Sequence, residues 1–62
     1  MFKIVMKWLT PWKEVKFTDM PKDTALDLLE ACYRADLYAK RNTNAKFLVV
    51  SNETGGVEYE TI

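Results

Sequence analysis

The sequence predicts an α+β domain of order ββαββ: a four-stranded, mainly antiparallel sheet with one helix packed on one face. Three observations carry that expectation. "FKIVMKWL" and "WKEVKFT" alternate with the period of two that a strand requires. "TALDLLEACYRADLYAKRN" contains no Gly or Pro, and no β-branched residue after its first position, so it suits a helix. "KFLVVS" and "VEYETI" are β-rich runs separated by the turn-forming "NETGG".

In the first strand Phe2, Ile4, Met6 and Trp8 point one way, toward a core, and Lys3, Val5, Lys7 and Leu9 the other. "TP" at 10–11 breaks the run, and the next strand places Val15 and Phe17 opposite Glu14, Lys16 and Thr18; the short connection implies an antiparallel hairpin. Thr24 and Asp27 have capping-box spacing at the start of a helix of about five turns. In the last strand Val57 and Tyr59 oppose Glu58 and Glu60. The unbroken apolarity of "FLVV" and the mixed faces of the first strand make strands one and three central, giving the order 2-1-3-4. In the competing arrangement the first and last strands are central and parallel. In element order and size, that pattern resembles the β-grasp immunoglobulin-binding domains.

Sixty-two residues form a single domain, 1–62, close to the smallest size that supports its own hydrophobic core. Hydrophobic residues make up 48% of the chain and charged residues 29%, the balance of a folded domain rather than a disordered tail. The single cysteine allows no internal disulfide, which points to a reducing, cytoplasmic setting. Lys3, Lys7 and Lys13 interrupt the apolar start, so neither a signal peptide nor a membrane span is expected. Nine basic and nine acidic residues cancel, leaving no global field to draw in nucleic acid or an anionic membrane.

At about 100° per residue, Ala25, Leu26, Leu28, Leu29, Cys32, Tyr33, Ala35, Leu37 and Ala39 share one broad helix arc, and Asp27, Glu30, Arg34, Tyr38 and Arg41 take the opposite side. Asp36 lies near the middle of that arc. A buried carboxylate needs a partner, and the Trp8 indole and Lys40 are the expected ones. The functional reading makes Tyr33, Asp36, Lys40 and Trp8 a rim that meets a partner, since Trp and Tyr are frequent interface anchors.

One helix covers one side of the sheet. The expected open side carries Val5, Leu9, Leu48 and Val50 as an apolar group, with Trp12 at the hairpin end and Lys3, Lys7, Glu14, Lys16, Glu58, Glu60 and Ile62 around it. Such a surface marks an interaction site, unless Lys and Glu stems cover it. It suits either another protein or a second copy stacked face to face as a homodimer. Lys3, Lys7 and Lys16 with Trp12 offer an alternative, single-stranded nucleic acid stacked on the open sheet.

Catalytic and metal-binding constellations are not expected. The chain has no histidine, Cys32 lies on the apolar arc, and "ETGG" lacks the spacing and lysine of a phosphate loop. No cofactor is implied. In "IVMKWL", then "WKEVKF", then one helix, the chain is similar to small bacteriophage proteins that bind and inhibit host proteins. That resemblance implies a non-enzymatic inhibitor or regulator acting on a partner protein.

Overall fold

A computed structural model describes residues 1–20 and 27–61. Four strands and one helix follow in the order β1 (Phe2–Leu9), β2 (Val15–Asp19), α1 (Leu28–Arg41), β3 (Ala45–Ser51) and β4 (Val57–Glu60). The sheet order is β2-β1-β3-β4 and every neighbouring pair is antiparallel. This is the expected 2-1-3-4 order. The β-grasp arrangement, with parallel central strands, is excluded.

The β1–β2 connection decides how the second strand faces. The Lys13 N–H donates to the Thr10 carbonyl and the Thr10 N–H to the Glu14 carbonyl, each at 2.9 Å, while Lys13 holds a left-handed φ of 64°. This is a three-residue loop closed by a left-handed residue. It pairs Leu9 with Val15 and Lys7 with Phe17, and residues paired across antiparallel strands share a face. Val15 and Phe17 therefore lie on the open side, while Lys16 and Thr18 lie on the helix side with Trp8 and Met6. The sequence expectation had these two sets reversed, because alternation alone carries no register.

The second hairpin brings a smaller correction. Val49 faces Tyr59 but Val50 faces Val57, so the strand is bulged and the extra residue turns Val57 to the open side. Its turn is held by Ser51 Oγ, which accepts the N–H groups of Glu53 and Thr54 at 3.3 and 3.4 Å. Gly55, at φ 74°, supplies the left-handed position that L side chains avoid. Past β4, Thr61 exchanges two bonds with Phe47: its N–H donates to the Phe47 carbonyl, and its Oγ1 accepts the Phe47 N–H, both at 3.0 Å.

The helix begins at Leu28 because Asp27 caps it, its carboxylate accepting the Glu30 N–H at 2.8 Å. At the other end the Asn42 N–H donates to the Tyr38 carbonyl. The proposed capping role of Thr24 and the first turn of the expected helix lie outside the described residues, as does Ile62.

Small side chains seat the helix. Ala31 and Ala35 are fully buried against Ile4, Phe47 and Val49, with Cys32, Tyr38 and Ala39 beside them. Tyr38 stacks on Phe47 with ring centroids 5.4 Å apart. This shifts the expected buried arc: Leu29 and Tyr33 face outward and Tyr38 faces inward. Alanines let the helix backbone approach β3 closely, while Leu29 stays 84% exposed. Removing Ile4, Phe47 and Val49 from water stabilises the fold by about 1.5–3 kcal/mol per side chain. The helix lies over β3 and, to a smaller extent, β1. All five residues of β2 remain exposed.

Candidate protein-binding surface

The open side of the sheet has a covered centre and an exposed corner. Val5 and Leu48 face each other across β1 and β3 at its centre, yet each is only 7% exposed. Charged stems pass beside them. Lys7 reaches from β1 to Glu60 on β4 at 3.5 Å, and Lys3 reaches Asp19 on β2 at the same distance. Each pair is solvent-exposed and stabilises by ~1 kcal/mol or less. Their aliphatic stems flank the central valines and leucines, so Val5 and Leu48 are not a free docking floor. That is a correction to the expected site. Val50 is half-buried beside Val57.

The exposed apolar surface instead gathers where the β1–β2 hairpin closes. Leu9 is 57% exposed, Val15 52%, Phe17 60% and, in the loop, Trp12 82%. Leu9 and Val15 are directly paired and Phe17 is the next residue along β2 on that face. A shallow depression beside them is lined by Lys7, Leu9, Val15 and Asn44 among others. Leu9 and Trp12 were legible in the sequence; Val15 and Phe17 were missed. The signal was present in "LTPWKEV": a three-residue loop between Thr10 and Glu14 forces Leu9 opposite Val15.

A second exposed stripe runs along the outer helix. Leu29, Tyr33 and Leu37 recur every four residues on the side away from the sheet, with Leu29 84% and Tyr33 63% exposed. Arg34 and Glu30 pair along one flank at 3.0 Å. Lys40 is exposed on the other.

Asp36 is exposed at the margin of the helix, and its carboxylate accepts a 2.7 Å hydrogen bond from the Tyr59 hydroxyl on β4. The Trp8 indole N–H donates instead to Thr18 Oγ1 at 3.2 Å. The expected rim of Trp8, Tyr33, Asp36 and Lys40 is therefore not formed as drawn: its carboxylate serves β4 and its indole serves β2. The Asp36 hydrogen bond, followed by desolvation and the Asp36 charge, raises the Tyr59 phenol above the usual tyrosine range. Partial burial, and then the Asp36 charge, pushes the Cys32 thiol up as well. That direction is opposite to the one that activates a nucleophilic thiol.

The basic residues named for nucleic acid each have a carboxylate close by. Lys3 meets Asp19, Lys7 meets Glu60, and Lys16, on the opposite face from the other two, meets Glu14 at 3.3 Å. Among the described residues, no group of three or more His, Cys, Asp or Glu is gathered as a metal ion requires. No helix there is long and apolar enough to cross a membrane.

Fold and surface together define a small α+β domain with one end of its sheet bare and apolar. Comparison of the chain with protein-family models, curated proteins and solved structures finds no match.

Proposed function

We propose that this chain is a non-enzymatic protein-binding module that acts as an inhibitor or regulator by occupying a surface of its partner. The observation that carries the reading is the exposed group Leu9, Val15 and Phe17 on the open side of the β1–β2 hairpin, with Trp12, 82% exposed, in the loop that closes it. Apolar and aromatic side chains concentrated on one small area are the surface from which binding hot spots are made. Lys7 and Lys46 line the depression beside it on the same face, so the favoured partner surface is an apolar hollow with carboxylates at the rim.

The test is retention of tagged protein on a host lysate, with nuclease present, read by mass spectrometry. One protein held at stoichiometric amounts by the natural chain, and lost with Trp12→Ala combined with Leu9→Ser, supports the reading. Retention unchanged in that variant, or recovery dominated by nucleic acid when nuclease is omitted, overturns it.

A further inference from the structure

The two edges of the sheet are built differently. β4 is four residues long, bulged against β3, and carries Glu58 and Glu60. Short length, a bulge and charge are the devices that keep an edge from pairing with other strands. β2 has five residues, a regular register along its whole length and no proline, and its two charges, Lys16 and Asp19, are of opposite sign where those of β4 are both negative. Both its faces are exposed.

The hydrogen bonds at its two ends show which backbone groups β2 leaves free. The Met20 N–H donates to the Ile4 carbonyl and the Thr10 N–H to the Glu14 carbonyl, both at 2.9 Å. In an antiparallel pair hydrogen-bonded and non-bonded positions alternate. Residues 14, 16, 18 and 20 therefore turn their backbone groups toward β1, and Val15, Phe17 and Asp19 turn theirs outward.

We propose that β2 pairs with β2 of a second copy, antiparallel and centred on Phe17, to make one continuous eight-stranded sheet. In that register Phe17 faces its own counterpart and Val15 faces Asp19. All three outward N–H groups and all three outward carbonyls of each strand are then satisfied. The bonded parity of the strand permits it, because the two-fold axis passes between two outward-facing residues. A shift that centres the axis on residue 16 sets Lys16 directly against Lys16, a like-charge pair that destabilises a sheet. Centring on Phe17 sets Lys16 against Thr18 instead. The contact is isologous and closes on itself, as a two-fold dimer requires. On the open side it brings the two Phe17 side chains together, with Asp19 of each copy set against Val15 of the other and the two Leu9–Val15 pairs placed diagonally across the axis. Strand pairing covers edges and leaves faces free, so this assembly stands whether or not the partner reading above is correct.

Sedimentation equilibrium of the 62-residue chain tests it, alongside a synthetic chain that carries an N-methyl group on the Phe17 backbone nitrogen. That group removes an outward N–H, takes no bond from β1 and leaves every side chain in place. The expected result is twice the 7.2 kDa chain mass for the natural chain and the single-chain mass for the methylated one, with the same far-ultraviolet circular dichroism. Amide exchange supplies a second reading on the natural chain: exchange at Val15, Phe17 and Asp19 slows as concentration rises. A single-chain mass up to millimolar concentration overturns the proposal. So does a dimer that survives methylation, because its contact then lies elsewhere.

Discussion

Asp36 shows what one residue does when its surroundings are assembled from distant parts of the chain. Its place beside the apolar side of the helix was legible from the spacing, and so was its need for a partner. The identity of that partner was not, because Tyr59 arrives from β4, 23 residues away, and only the strand order brings it near. Tyr59 binds its proton more tightly in the folded chain than in the unfolded one. The stability from this bond is therefore complete below the ordinary phenol range near pH ~10 and is lost as pH rises through the higher folded value. With Asp36→Asn, tyrosinate absorbance should appear at lower pH. Thermal melts should show the difference between the natural chain and the variant shrinking as pH climbs through the folded value.

The helix and the first hairpin are elements whose existence was plain in the sequence and whose orientation was not. A helical wheel weights leucine over alanine, and here the alanines won. Close approach to the sheet demands small side chains at the contact, which hydropathy does not encode. Ala35→Leu should therefore destabilise by about 1–3 kcal/mol through overpacking, whereas Leu29→Ala should stay within about 0.5 kcal/mol. Urea denaturation of both variants checks the pair. Equal effects would mean that the helix is rotated from the position described. In the hairpin, Lys13 occupies a left-handed conformation that costs an L residue about 1–2 kcal/mol. Lys13→Gly should raise the melting temperature by relieving most of that cost, despite the entropy glycine loses on folding.

For the whole molecule, strand order and fold class could be read from the apolarity of "FLVV" and the mixed faces of "FKIVMKWL". The exposed surface could not, since a one-residue change in loop length exchanges the faces of β2. Stability is expected to rest on few residues. A chain of this length holds roughly 3–9 kcal/mol in total, and truncating a buried phenylalanine costs about 3–5 kcal/mol. Phe47→Ala should consequently leave much of the population unfolded at room temperature, visible as loss of helical circular dichroism. The off-centre seat of the helix has a further consequence. Every side chain of the closed core described here belongs to β1, β3 or α1, so residues 10–17 contribute none of it. Selection for a new contact can rewrite that hairpin end while the scaffold behind it stays the same, which makes it the natural place to graft a foreign recognition loop.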